Sequence, residues 1–177
     1  MRRFLDRLYL IAGGLAGFFI MLIAVLMVGQ SVLREFGVPT GAVNDVVSWL
    51  CAGAAFFAMA HAFKHGDFVR VTLMVEHLSE GRRRAMEIVS LVIGSVAVGF
   101  LAWSACLFTY ESWEFNDIAQ GLLALPLWIP QLSFPLGALL LWVALIDELI
   151  IVLRGQLPTY VREVAQRHAR GDFSSDI

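Results

Sequence analysis

The chain has 177 residues, of which 59% are hydrophobic and 16% are charged, and its formal net charge is -2. Soluble domains carry about 25% charged residues, so this composition excludes an ordinary soluble domain. The mean hydropathy of +0.74 instead indicates an integral membrane protein, and the charge balance gives no reason to expect nucleic acid as a partner.

Four apolar segments without Asp, Glu, Lys or Arg predict four membrane-spanning helices, because about 20 apolar residues cross a bilayer core. The first three segments lie between Arg7 and Arg34, between Asp45 and Lys64, and between Glu87 and Glu111. Prolines interrupt the fourth segment, so its helix is predicted to run from about residue 132 to residue 153. The first segment is longer than the apolar core of a signal peptide, and we expect an uncleaved anchor.

The basic residues predict the orientation of these helices. Of the 13 basic residues, three lie in the N-terminal segment, five in the second connection and four in the C-terminal segment. The positive-inside rule therefore places both termini in the cytoplasm. We predict an all-α membrane protein with a four-helix transmembrane domain over residues 1–157 and a polar cytoplasmic tail over residues 158–177.

The second connection contains the pattern of a short amphipathic helix, since apolar residues recur at i, i+3, i+4 and i+7 from Val71 to Leu78. Such a helix would lie in the cytoplasmic interface between spans two and three. Gly81 is predicted to end it, and the following arginines to form the turn into span three. The candidate anchors to lipid or to the cytoplasmic surface are Arg70, Arg82, Arg83 and Arg84.

The third connection, residues 118–131, is apolar but contains Gly121, Pro126 and Pro130. This segment either lies in the outer interface with Trp128 at the level of the head groups, re-enters the membrane, or packs against another protein.

Few ionisable residues fall inside the predicted spans, where they usually mark transport pathways. His61 is interpreted as an interfacial histidine near water. Asp147 and Glu148 are interpreted as facing the cytoplasmic interface or pairing with an arginine of a connection. This pattern does not favour transport by the chain alone.

No catalytic, cofactor-binding or metal-binding residues are predicted, and we expect no enzyme activity. A zinc site uses three or four ligands at close spacing. His61 and His65 are four residues apart and Asp67 is a possible third ligand, but no further ligand is evident. The alternatives left open are a membrane-anchor subunit of a redox complex and a small self-assembling transporter or channel.

Small residues at a spacing of four mark two helix faces where another helix can approach closely. These pairs are Gly13 with Gly17 in span one and Ser95 with Gly99 in span three. They pack either within this chain or against another subunit. The candidate partner interface is formed by these four residues with Pro126, Trp128 and Pro130.

Several stretches over residues 5–157 resemble the small membrane subunit of the tripartite ATP-independent periplasmic (TRAP) transporters, the DctQ-like family. After span two, Lys64, Gly66, Val69, Arg70 and Val71 fit the inner connection of the family, whereas Phe68 and Thr72 stand where the family often has His and Asp. Before span four, the matching residues are Pro126, Trp128, Pro130, Pro135 and Gly137, and Asn44 with Asp45 precede Trp49 at the entry to span two.

The resemblance implies a multi-pass protein of the bacterial inner membrane that acts as a scaffold beside a large multi-span subunit. In this family the large subunit holds the substrate and sodium sites, and a periplasmic binding protein delivers an organic anion, typically a carboxylate. The implied partners are therefore this large subunit, the binding protein docked on the complex, and membrane lipids.

Overall fold

A computed structural model describes residues 2–66, 80–156 and 158–161. The side chains described are those of residues 5–66, 81–156 and 158–161. Within these ranges every regular element is a helix. The helices are α1 (Arg2–Glu35), α2 (Gly41–His65), α3 (Glu80–Glu114), α4 (Trp128–Gln131) and α5 (Ser133–Leu153). Four segments are long and apolar enough to cross a membrane, as predicted: Leu5–Glu35, Gly41–His65, Gly81–Glu114 and Trp128–Leu153.

The helices end where the sequence supplies a residue that leaves the helical conformation. At the end of α1, Gly37 has a φ of 73°, and Val38 donates its N–H to the carbonyl of Leu33 at 3.1 Å. Pro39 follows and cannot continue the helix. Pro135 lies in the first turn of α5, where its missing N–H does no harm. The predicted start of the fourth helix near residue 132 is confirmed.

The arginines after Gly81 lie in a helix and not in a turn, which corrects the sequence prediction. Helix α3 begins at Glu80 and continues through Gly81 and Arg82. Glycine costs only about 1 kcal/mol in a helix, so one glycine in a first turn does not stop a 35-residue helix. The predicted amphipathic helix over residues 71–78 and the candidate anchor Arg70 lie outside the described residues.

The four long helices form an open row in the order α1, α2, α5, α3. Extensive contacts join α1 to α2, α2 to α5 and α5 to α3. Among the described residues, no comparable contact joins α1 to α3, so the row does not close into a bundle. Helix α5 is the most buried of the four. In the apolar part of its span 44% of the residues are buried, against 11% in the spans of α1 and α3.

Close approach of α2 and α5 depends on small residues. Ala60 on α2 and Ala144 on α5 are completely buried in the core. Farther along the contact, a Cβ atom on Gly137 would lie 2.6 Å from the backbone carbonyl of Phe56. The rings of Phe56 and Phe134 meet beside this point, with centroids 5.1 Å apart. The two backbones therefore touch where Gly137 has no side chain.

Candidate functional site

A buried ion cluster joins the last turn of α2 to the last two turns of α5. The ammonium Nζ of Lys64 lies 2.7 Å from Oδ2 of Asp147 and 2.9 Å from Oε1 of Glu148. The Glu148 side chain is fully buried and the Lys64 side chain is 8% exposed, whereas 22% of the Asp147 side chain is exposed. The carboxylate of Asp147 can therefore be reached from outside the protein, whereas the carboxylate of Glu148 can be satisfied only by partners within it.

The segment 158–161 supplies a second partner for Glu148. The backbone N–H of Thr159 donates to Oε2 of Glu148 at 2.9 Å. The buried Tyr160 donates its hydroxyl proton to Oε1 of Glu87 on α3 at 2.8 Å, and its ring centroid lies 5.9 Å from that of Phe63 on α2. The ion cluster and its neighbours thus connect α2, α3, α5 and the segment 158–161. The domain boundary at residue 157 stays a prediction.

Of the two sequence interpretations of Asp147 and Glu148, the pairing with an arginine is wrong about the partner, and the position at the cytoplasmic interface stays a prediction. Within the described ranges, the cation that pairs with both is Lys64, which the sequence assigned to the second connection. The physical reason is that α2 and α5 lie side by side and their last turns are level, so a lysine at the end of α2 reaches both acids. Buried charges require such pairing, because an unpaired ion in a low-dielectric interior is costly.

The three arginines at the start of α3 differ in what they contact. Nη2 of Arg84 donates to the carbonyl oxygens of Val152 at 3.2 Å and Leu153 at 3.1 Å, the last residues of α5. The carbonyl of Val152 also accepts the N–H of Gly155 at 3.0 Å, so Arg84 adds a charged donor to the carbonyl groups at the C-terminus of α5. All three arginines are exposed, and these contacts with α5 belong to Arg84 and not to Arg82 or Arg83.

We expect Arg84→Ala to lower the free energy of unfolding by about 1 kcal/mol, because the carbonyls at the end of α5 lose a charged donor. The exposed neighbour gives the matched control, and Arg83→Ala is expected to change stability by no more than about 0.5 kcal/mol. Thermal unfolding of both variants in the same detergent measures the difference. Equal effects would show that Arg84 does not cap α5.

His61 is half-buried and packs against α1, and its interpretation as an interfacial histidine near water stays a prediction. A Cβ on Gly13 would lie 2.6 Å from the His61 ring, and Nδ1 of His61 is 3.2 Å from the carbonyl oxygen of Tyr9. The ring of His65 stacks on that of His61 with centroids 4.0 Å apart. Gly13 is therefore used in contact between α1 and α2, whereas no heavy atom lies within 4 Å of a Cβ on Gly17.

The small-residue pair on α3 faces α5 within this chain. Ser95 is buried, and a Cβ on Gly99 would lie 2.7 Å from Nε1 of Trp142. The structure therefore brings Ser95 and Gly99 together with α5, and of the four small candidate residues only Gly17 is open.

The segment before α5 folds back on itself as a short loop. The N–H of Ala119 donates to the carbonyl of Leu125, and the N–H of Leu127 donates to that of Asp117, both at 2.9 Å. Ile118 and Pro126 form an isolated antiparallel bridge between these bonds. Pro126, Trp128 and Pro130 are each half-buried, with Trp128 opening α4.

Asp45 fastens this loop to the start of α2. Its Oδ2 accepts the N–H of Leu122 at 3.1 Å, and its carboxylate occupies the space that a side chain on Gly121 would need. Leu122 in turn covers Gly41 at the first position of α2. Asp45, which the sequence analysis named only at the boundary of span two, thus positions the loop.

We expect Asp45→Ala to release the loop and to increase amide hydrogen exchange at Leu122 by about tenfold, because its N–H loses an acceptor worth about 1–3 kcal/mol. Hydrogen exchange with mass spectrometry on peptides from residues 115–127 measures this. The matched control is Asp117→Ala, which removes a nearby exposed carboxylate whose side chain makes no hydrogen bond among the described residues. Unchanged exchange in Asp45→Ala would contradict the fastening role.

Within the described ranges, no group of three or more His, Cys, Asp or Glu residues is placed to hold a metal ion. Asp67, which could join His61 and His65, lies outside those ranges.

The outer helices of the row leave large apolar surfaces uncovered. On α1 the exposed side includes Ile11, Phe18, Met21, Val25 and Val28, each more than half exposed. On α3 it includes Val96, Phe100 and Trp103. Contiguous apolar surface of this extent marks contact with lipid or with another protein. The fold and its surfaces therefore define a multi-pass membrane protein with large apolar sides.

A family model for the DctQ component of the tripartite ATP-independent periplasmic transporters matches residues 23–155. The chain is also similar to the ectoine TRAP transporter small permease protein TeaB of Halomonas elongata, with 26% identity over 119 residues. That alignment covers 67% of this chain and 55% of the relative, so the chain spans about half the length of the relative it matches.

The chain belongs to the DctQ family, and the resemblance seen in the sequence is confirmed. The matching family model describes the DctQ component of transporters of the TRAP type. The match covers α2, α3, α4 and α5 completely, and with them the ion cluster and the loop held by Asp45.

Proposed function

We propose that this chain is the accessory scaffold subunit of an ion-gradient-driven TRAP transporter that imports an organic anion, such as a carboxylate, by sodium coupling. In this proposal it packs beside a large multi-span subunit that carries the substrate site. A periplasmic binding protein delivers the substrate to the assembled complex. Family membership supports the small-subunit role, and the substrate class and sodium coupling are extended from the resemblance. The relative in Halomonas elongata is named for ectoine, which applies to that protein.

The observation that carries the scaffold role is the open row of helices. A transport domain that moves needs a fixed surface to slide against, and a row of four spans is wider and more resistant to tilting than a single hairpin. The row is stiffened along its centre by backbone contact at Gly137 and by the ion cluster at one end. Its uncovered sides on α1 and α3 supply the area for a large neighbour.

The proposed orientation places the ion cluster at the cytoplasmic end of the row, in the inner membrane. It is supported by the 12 basic residues that fall on that side in the topology with both termini inside. Arg82 and Arg83, with Arg70 outside the described residues, are proposed to contact anionic head groups there. Arg84 is proposed to contact head groups as well, in addition to its hydrogen bonds with the end of α5.

The proposed partner interface uses the open side of α1 at Gly17 together with the loop that contains Pro126, Trp128 and Pro130. Gly13, Ser95 and Gly99 contribute by shaping the row from within. Gly17 and Gly29 are both open, and about 120° separates them around α1. A bulky side chain at each therefore tests a different side of the helix.

Reconstitution tests the role. Liposomes that contain the large subunit, with the binding protein and labelled organic anion outside, should take up substrate along a sodium gradient only when this chain is present. The chain alone should move none. Uptake by the chain alone, or full uptake without it, would overturn the scaffold role.

Substitution of the open glycines then locates the interface. Gly17→Leu is expected to reduce co-purification of the large subunit, and Gly29→Leu to leave it unchanged. The reverse pattern would place the partner on the other side of α1.

A further inference from the structure

A polar cavity of about 430 Å³ lies at the turn between α1 and α2, at the end of the row opposite the ion cluster. Eight residues line it, and none of them is acidic. Arg34 contributes the only cation among these eight, and the ion pairs of the described residues do not include it. The lining of the cavity therefore carries one positive charge, and the acids next in sequence to it, Glu35 and Asp45, are not among the lining residues.

The wall of this cavity carries hydrogen-bond donors that have no acceptor. Thr40 is 9% exposed and precedes α2, yet its hydroxyl makes no hydrogen bond to the described part of the chain. The backbone N–H groups of Gly41 and Ala42 also find no backbone acceptor there, because they open the 25-residue helix α2. A helix N-terminus with free N–H groups attracts anions.

A side-chain pair between α1 and α2 holds a further donor at the cavity. Nε2 of Gln30 donates to Oδ1 of Asn44 at 3.1 Å, so the amide oxygen of Asn44 is occupied and its NH₂ group remains to donate. The amide oxygen of Gln30 is buried and has no hydrogen-bond partner among the described residues, so the lining also contains one free acceptor. Arg34, Thr40, the start of α2 and Asn44 thus form one wall of donors.

We propose that this cavity binds the phosphodiester group of a membrane phospholipid. A phosphate oxygen suits a guanidinium beside free helix N–H groups. The cavity lies at the end of two apolar spans, where head groups are found. Next to it, Leu33, Phe36 and Val38 are exposed, and Phe36 is 78% exposed. These apolar side chains can pack against the glycerol and acyl chains of a lipid, but they make no favourable contact with a free phosphate ion.

Native mass spectrometry of the purified full chain tests the site with three probes. The probes are palmitoyl-oleoyl-phosphatidylglycerol, the matching diacylglycerol without a phosphate, and inorganic phosphate as a competitor. We expect phosphatidylglycerol to bind, diacylglycerol to be retained far less, and inorganic phosphate to leave the bound lipid in place.

Variants assign the binding to the cavity. Arg34→Gln is expected to weaken phosphatidylglycerol binding by roughly tenfold, and the isosteric Thr40→Val by about threefold. Arg154→Gln removes an exposed arginine at the opposite end and should leave binding at this site unchanged. Thermal unfolding of each variant checks the fold, and Thr40→Val retains the test if Arg34→Gln is poorly folded.

Three results would overturn the proposal. Equal retention of phosphatidylglycerol and diacylglycerol would show that the phosphate is not recognised. Displacement of the lipid by inorganic phosphate would assign the site to the free ion. Undiminished lipid binding in both Arg34→Gln and Thr40→Val would place the lipid elsewhere on the chain.

Discussion

Lys64→Met is expected to lower the free energy of unfolding by about 3–5 kcal/mol, because it leaves the carboxylate of Glu148 buried without a cation. Glu148 is fully buried, and in this variant the N–H of Thr159 is its only remaining partner among the described residues. The loss should extend to the segment 158–161, which docks through that N–H. Thermal unfolding in detergent measures the effect, and a decrease in Tm on the order of 10 °C is expected.

A second variant separates charge from packing. Lys64→Met combined with Glu148→Gln should recover most of the lost stability, because the glutamine oxygen still accepts the N–H of Thr159 and no buried charge is left there. Asp147 is partly exposed and can be hydrated. Arg154→Met, an exposed cation at the same end, is the matched control and should be nearly neutral. If Lys64→Met has the same Tm as the wild type, as is expected for the control, the ion cluster does not stabilise the row.

Gly137→Ala is expected to separate α5 from α2. The added methyl group would lie 2.6 Å from the carbonyl carbon and oxygen of Phe56, which are backbone atoms and cannot rotate away. Overpacking of this kind costs about 1–3 kcal/mol or more, and the cost should appear as a lower Tm and as weaker retention of the large subunit.

Another glycine of the row provides the control for this methyl group. No heavy atom lies within 4 Å of a Cβ on Gly14, so Gly14→Ala should be tolerated and, as a better helix former, should be neutral or slightly stabilising. Wild-type stability in Gly137→Ala would show that the helices are farther apart there than the structure has them.

The number of spans and the limits of the fourth were predictable because each depends on local composition. A run of apolar residues bounded by charge defines a spanning helix, and prolines near residue 130 restrict where the last helix can begin. Membership of the DctQ family was likewise accessible from the order of such features.

The order of the helices in the row was not predictable from the residues. In a soluble helix the apolar stripe marks the buried side, but α1 and α3 are apolar on all sides, since lipid is as apolar as a neighbouring helix. Ser95 with Gly99 and Gly13 with Gly17 were recognised as surfaces of close approach. The sequence had no means of telling that three of these residues face the chain itself and one does not.

The ion cluster was missed for a different reason. Lys64 was taken as the first residue of a connection because it ends a charge-free segment, although it lies in the last turn of α2. An acid pair at the end of one span and a lysine at the end of another, on the same predicted side of the membrane, is the signal that could have found it. Arg84 was similarly grouped with its neighbours, although it alone reaches the end of α5.

The central claim is that this chain forms a stable complex with a large permease subunit through the uncovered sides of the row. The most direct measurement is affinity purification of the tagged chain from native membranes in mild detergent, with mass spectrometry of the bound proteins. We predict that one large multi-span membrane protein co-purifies in stoichiometric amount, and that Gly17→Leu reduces its yield. Recovery of the chain alone or as a homo-oligomer from membranes that contain the large subunit would contradict the claim.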